Sequence, residues 1–374
     1  MSREIGGTIS FHRFMELALY HPEYGYYMKP NIRLGRMGDF VTAPEMTSLI
    51  GELLALEWIH IWEALGRPEP FTIVEVGAGS GHLAADLLRT SLKYPEFWSG
   101  LRYVIVEKSP DFCARQYSLL QQCLPSIEKI SWHDHLSAAV GETPIDGVIF
   151  GHEFLDAFPV HWVTMTDAGL REKWVKRGKF GFEIEVGFLS NPLLFEYFSK
   201  FGLSLERGYC TEVCLEAQTW VVEAAPYLRR GAMVFIDYGW PASEYYAPFR
   251  HQGSLTGYYR HTYVQDVLMN PGNVDLTAHV DFSAIARAGQ RGGLDVIGFT
   301  TQAWFLMGLG LLERVGCCFA SGVMDVKTQQ LKATVERLLM PHGMGEIFKC
   351  LAMGKGLPEN CLQGFRLNNR VNRL

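Results

Sequence analysis

Six residues of strand type, Phe71-Thr-Ile-Val-Glu-Val76, run straight into Gly77-Ala-Gly79-Ser-Gly81 and then into the helical pattern His82 to Thr90. A β-type run that turns through three glycines into a helix confines the chain to few architectures. The glycines let the main chain bend sharply and let a ligand touch the backbone with no Cβ in the way. A Gly-x-Gly string is common in itself. The strand before it and the helix after it make this one informative.

Two cofactor classes use such a turn. A dinucleotide site requires G-x-G-x-x-G/A, with glycine or alanine at position 82, where this chain has His82. The spacing here is G-x-G-x-G, with an acid, Glu75, two residues before the first glycine. That pattern resembles the S-adenosylmethionine site of class I methyltransferases, and it implies Glu75, Gly77, Gly79 and Gly81 as cofactor-binding residues. No G-K-[ST] follows the turn, so a P-loop is excluded.

The alternation repeats. Tyr103-Val-Ile-Val106 leads to Glu107 and a helix opened by Ser109-Pro110, a cap followed by proline at the first helical position. Ile130-Ser-Trp132, Ile145 to Phe150 and Ala232 to Ile236 read as further strands. Apolar runs alternating with helices predict an α/β, Rossmann-like, doubly wound parallel sheet, with its ligand at the carboxyl ends of the strands. Residues 1–70 are expected as a helical segment packing on the core, with Thr42-Ala-Pro-Glu45 as a capping box for an amphipathic helix from Met46 to Leu65. Residues 71–240 form the core, with an antiparallel insertion at about 160–205. Residues 241–330, rich in Tyr, His and Gly, are a cap or substrate region, and 331–374 completes the core.

The acids beyond the strands carry the candidate chemistry. Glu107 stands at the end of the second strand, where a carboxylate accepts hydrogen bonds from ribose hydroxyls. It lies 30 residues after Gly77, and the loop from Lys93 to Gly100 supplies the surplus over the usual spacing. Trp132 and Asp134 follow the third strand, where class I methyltransferases meet adenine. Glu153 and Asp156 follow the fourth and share one side if the turn is helical. Two carboxylates there suit a guanidinium, which has five donors and stays protonated at pH 7. The same acids also suit a plain helix N-terminus. Asp39 sits in a glycine-flanked loop with Glu45 after it, and Tyr238 follows the fifth strand. His279 and Asp281 fall on one face of an extended segment, as a base pair or as a structural pair.

Composition bounds the remaining classes. Lys and Arg number 34 against 40 Asp and Glu, a formal charge of −6, which argues against a general nucleic-acid binder. The longest apolar run, Ala303 to Leu312, is ten residues and is broken by glycines, too short for a membrane span of about 20. Arg3, Glu4, His12, Arg13 and Glu16 leave no apolar signal region near the N-terminus, so a cytoplasmic protein is expected, or an organelle protein already stripped of a presequence. The eight cysteines contain no C-x-x-C pair and no histidine at zinc-ligand spacing. They predict reduced, mostly buried thiols and no metal site.

Several segments in order make the resemblance more specific: Gly38-Asp-Phe-Val-Thr-Ala-Pro-Glu45, Glu75 to Gly81, Val106-Glu-Lys-Ser-Pro110 with Arg115-Gln116, His152-Glu-Phe-Leu-Asp-Ala-Phe-Pro159, Ile236-Asp-Tyr-Gly239 and Asp275-Leu-Thr-Ala-His-Val-Asp-Phe282. Thr301-Gln302, Phe305-Leu306 and Phe348-Lys349 continue the pattern. Together they resemble the MidA family, bacterial relatives of a mitochondrial complex I assembly methyltransferase. His152 stands where that family has Asn, and Ser254 where it has Thr. The resemblance implies an S-adenosylmethionine-dependent protein methyltransferase acting on arginine, with a 49-kDa-type complex I subunit as the family's protein substrate. Asp39, Glu153 and Asp156 are the candidates for catalysis, and Glu45, Tyr238, His279 and Asp281 those for the substrate. The rival readings are a non-catalytic cofactor-binding assembly chaperone and a nicotinamide oxidoreductase, the latter opposed by His82.

Overall fold

Phe71–Val76 is buried along its whole length at the centre of the larger sheet, in a computed structural model that describes residues 7–30, 43–260, 262–320 and 325–374. It is β1. The other strands of this sheet are β2 (Leu101–Val106), β3 (Ile130–His133), β4 (Ile145–His152), β5 (Leu228–Trp240), β6 (Asp295–Thr301) and β7 (Phe348–Lys355), with the two-residue strand Val280–Asp281 pairing off the main path with the end of β5. Their spatial order is β3-β2-β1-β4-β5-β7-β6. The five strands foreseen from the sequence pair in parallel, while β7 runs antiparallel to both β5 and β6. The chain moves outward from β1 to β3 and then returns to place β4 on the other side of β1. That reversal opens a crevice beyond the carboxyl ends of β1 and β4, where open α/β sheets bind ligands.

Helices His82–Ser91 and Pro110–Cys123 make the first two crossovers. Ser109 caps the second, its hydroxyl accepting from the Phe112 amide, and Pro110 fills the first helical position as expected. The core of this part holds Trp58, Phe71, Phe97, Tyr103 and Phe150, all fully buried. Covering both faces of the sheet removes the strand residues from water. This is why β1 shows no polar alternation.

The chain divides into two compact units. The sheet unit holds residues 41–154, 221–238 and 286–374. The other holds residues 1–40, 155–220 and 239–285. In the second, Gly169–Arg177 pairs antiparallel with His161–Thr166, Phe182–Gly187 and Thr8–Ser10, and His161–Thr166 pairs with Cys210–Val213. Helix Phe11–Tyr20 packs Phe11, Phe14 and Met15 with Val175 and Val160 in its core.

This division cuts across the four segments expected from the sequence. Residues 1–70 are shared between the units, and 241–330 are shared as well. Apolar periodicity shows that an element has a buried face, but not which core receives it. The single amphipathic helix from Met46 to Leu65 is replaced by a short turn, Ala43–Met46, and a helix Leu49–Ala64. The Thr47 hydroxyl takes the Leu49 amide at 3.2 Å, a local bond that competes with helix continuation. The longer helix is buried on most sides, with Leu53, Leu54, Trp58 and Ile61 inside. Thr42, the expected cap, lies outside the described residues. Of the six free cysteines described, only Cys350 is fully buried, so mostly buried thiols was too strong an expectation.

Candidate functional site

The turn after β1 adopts the conformation that its glycines permit. Gly77, Gly79 and Gly81 all have positive φ, +67°, +50° and +84°. The Gly77 amide donates to the Val106 carbonyl at 3.0 Å, which seats the bend against the end of β2. A Cβ on Gly77 would meet the Phe154 ring at 3.0 Å, and one on Gly81 would meet the Gln116 side chain at 3.1 Å. Glu75 lies beneath the turn, buried, with the Tyr103 hydroxyl donating to it at 2.5 Å. Burial pushes its carboxyl up to about 7, against the Tyr103 bond that lowers it.

Glu107 follows β2 directly, and its amide donates to the His133 carbonyl at 2.9 Å, tying it to the end of β3. One carboxylate oxygen accepts the Ser109 amide at 2.9 Å and the other faces the Gln116 amide nitrogen at 3.4 Å. Burial holds this carboxyl above the usual range. The Trp132 indole is half-buried on β3 and donates to Gln116 at 3.1 Å, and the Tyr117 ring lies 5.7 Å from it. Asp134, directly after β3, is exposed beside His135. Glu75, the three glycines, Glu107 and Trp132 therefore converge on the carboxyl ends of three adjacent strands. A side-chain-free bend, an acid and an aromatic, arranged in that order, fit an adenosyl cofactor. Gln116 reaches into this cluster, and sequence reasoning gave it no role. Its only sequence signal was its place in the Arg115-Gln116 segment.

The ends of β4 and β5 form a second cluster in the same unit. Glu153 has φ +51°, rare for a residue with a side chain, and its amide donates to the Ile236 carbonyl at 2.9 Å. Strain of that kind persists only where the surroundings over-determine it, and it concentrates at functional sites. The adjoining Phe154 amide donates to Asp237 at 3.1 Å, and Asp237 also takes the Tyr238 amide at 2.9 Å. Buried Asp237 thus fixes the chain leaving β4, a task that sequence reasoning did not assign to it. Tyr238 is half-buried, edge-on to the Phe348 ring at 5.5 Å. His152 also stacks on Phe348, and its Nδ1 lies 3.6 Å from the Glu153 carboxylate. Burial drives the His152 imidazole down to about 4, so it is neutral at pH 7.

The remaining candidates belong elsewhere. Asp156 lies in the 3-10 turn Leu155–Ala157 of the other unit, where its carboxylate takes the Thr277 hydroxyl at 3.0 Å. In that unit His279 stacks on Trp240 at 4.2 Å. Asp281 accepts the Tyr197 hydroxyl at 2.9 Å and the Ala284 amide at 3.1 Å, capping the helix Phe282–Arg291. The extended segment expected to align His279 with Asp281 is only Val280–Asp281, and the two side chains have separate partners. Burial raises the Asp281 carboxyl to about 6. Glu45 sits in the short turn Ala43–Met46. Asp39 lies outside the described residues.

Comparison with known proteins agrees with this geometry. Residues 53–300 match the family described as "Putative S-adenosyl-L-methionine-dependent methyltransferase". The chain is 31% identical to a zebrafish (Danio rerio) protein named protein arginine methyltransferase NDUFAF7, mitochondrial, over 92% of this chain and 82% of the relative. It is 30% identical to the human protein of the same name, over 96% and 82%. A crystal structure of a Burkholderia thailandensis protein bound to S-adenosyl-homocysteine superposes with a TM-score of 0.88 at 34% identity, covering 99% of this chain and 93% of that one. The motifs, the strand order and these matches lead to one conclusion: the chain belongs to this family and is an S-adenosylmethionine-dependent methyltransferase of MidA type.

Proposed function

We propose that this methyltransferase modifies a protein on an arginine side chain, and that its acceptor is a core subunit of respiratory complex I of the 49-kDa type. The names of the zebrafish and human relatives support the arginine. Glu153 is the observation that carries the acceptor chemistry. A carboxylate is held in a strained left-handed turn at the end of β4 by the Ile236 carbonyl on one side and the Asp237-bound Phe154 amide on the other.

Gly77, Gly79 and Gly81 bring bare backbone to the cofactor, Glu107 takes its ribose hydroxyls, and Trp132 and Asp134 flank its adenine. Glu75 supports the turn from below. Bound S-adenosylmethionine supplies a methyl group already electrophilic on its sulfonium. A guanidinium is a poor nucleophile because its positive charge is spread over all three nitrogens. Glu153 pairs with its N–H groups, draws that charge away from the reacting nitrogen, and accepts the proton lost as the N–C bond forms. His152, neutral beside Glu153, adds no competing positive charge.

The test is methylation of a purified 49-kDa-type subunit, read by mass spectrometry of its arginine peptides. One or two methyl groups on an arginine are expected. Methyl groups on lysine, or on a different protein only, would overturn the acceptor assignment. Glu153→Gln is expected to bind S-adenosylhomocysteine within about twofold of wild type and to lose on the order of 10²–10⁴ in turnover. Undiminished turnover would remove Glu153 from the chemistry.

A further inference from the structure

Gln116, on the helix after β2, is fully buried, and its amide meets three strand ends at once. Its nitrogen donates to the Gly79 carbonyl at 2.8 Å and to the Glu107 carboxylate at 3.4 Å, and its oxygen accepts from the Trp132 indole at 3.1 Å. The polarity of this arrangement admits no exchange. The carbonyl and the carboxylate only accept, and the indole N–H only donates, so the network itself fixes which end of the amide is nitrogen. The same side chain packs where a Cβ on Gly81 would go.

We propose that Gln116 is the positioning residue of the cofactor site. It holds the glycine turn, the acid after β2 and the aromatic on β3 at the separations one adenosyl group requires. This inference rests on the cofactor site proposed above and deepens it. Gln116 acts through Gly79, Glu107 and Trp132. An acid of identical shape would turn a carboxylate toward the Gly79 carbonyl and toward Glu107, and two like charges in a buried site repel strongly. A methionine of similar length would keep the packing and lose all three bonds. Outer partners of metal ligands tune metal affinity about 10–100-fold, and the same order sets the scale expected here.

The experiment measures S-adenosylhomocysteine affinity by calorimetry and methyl-transfer kinetics for Gln116→Met, Gln116→Glu and Glu107→Ala, in the full chain, with thermal melts to confirm folding. Gln116→Met is expected to weaken binding about tenfold, and Gln116→Glu more than that. In both, the donor KM should rise while turnover at saturating donor stays within about threefold, the signature of lost binding that ground and transition states share. Glu107→Ala should weaken binding as well. Wild-type affinity in folded Gln116→Met would show that the residue only fills space and would overturn the proposal, while weakened Glu107→Ala kept the site itself. Wild-type affinity in Glu107→Ala would overturn the site assignment and this inference with it. A loss of turnover at saturating donor with unchanged KM would also overturn it, because Gln116 would then be serving the chemistry.

Discussion

Gly81 shows how a single atom decides the site. At φ +84° a residue with a Cβ is strained by about 1–2 kcal/mol, whatever surrounds it. Here the Cβ would also press the Gln116 side chain at 3.1 Å, and Gln116 cannot yield without moving its bonds to Gly79, Glu107 and Trp132. Gly81→Ala is therefore expected to lower both the melting temperature and the S-adenosylhomocysteine affinity, the latter about tenfold. Gly169 is the control. Its φ is +90° at a hairpin turn, with nothing within 4 Å of its missing Cβ. Gly169→Ala should lose stability and keep wild-type affinity. If the two variants bind alike, the close approach at Gly81 has no bearing on the cofactor. The three glycines were legible as a sharp bend because φ above zero leaves so few alternatives. Gln116 and Asp237 were not, because a buried polar side chain acts through distances between segments far apart in sequence.

Among the elements, helix Leu49–Ala64 carries a buried acid that the chemistry does not use. Glu57 is 1% exposed and accepts the Gly364 amide at 3.1 Å, fastening the segment near the C-terminus to the helix. Burial pushes its carboxyl up to about 7, more than the amides of Gly364 and Gln363 lower it. A carboxyl whose pKa rises on folding favours the native state fully only while it is protonated in both states. Its contribution to stability is therefore greatest below about 4.5, falls as the pH climbs toward 7, and levels off above. Glu57→Gln keeps an acceptor for Gly364 and removes this slope. It should be more stable than wild type at pH 8, on the order of 2 kcal/mol, and nearly equal at pH 4.5. Urea melts at the two pH values check this, and a wild-type slope in the variant would contradict it. Glu75 is pushed the same way and keeps part of the slope in both proteins. At this scale β1 to β5 could be read because doubly covered strands are short, unbroken apolar runs. β6 and β7 could not. β6 is interrupted by Gly298, which leaves room for the Phe365 ring, and β7 carries buried Lys349, whose amine is satisfied by the Glu346 and Ile347 carbonyls.

For the whole molecule, each compact unit is assembled from three separate stretches of chain, and no proline-rich or charged linker marks the crossings near residues 155, 220, 239 and 285. Composition changes at a boundary only when the connecting chain is exposed, and β5 itself carries the chain from one unit into the other. The division was therefore invisible in the sequence, although the sheet and its glycine turn were not. It makes hydrogen exchange a test of where the cofactor acts. A ligand at 100 times its Kd stabilises the state that binds it by about 2.7 kcal/mol, roughly a hundredfold in every opening that must first release it. Amides of 77–81, 107–109 and 132–134 should slow by up to that factor in S-adenosylhomocysteine. The outer strand of the hairpin, Phe182–Gly187, which pairs with Gly169–Arg177 alone, frays by local opening and should exchange at its former rate. No slowing in the glycine turn would remove the cofactor from the strand ends. Slowing in the hairpin equal to that in the turn would show that its openings release the ligand too, and would contradict a ligand held at the strand ends alone.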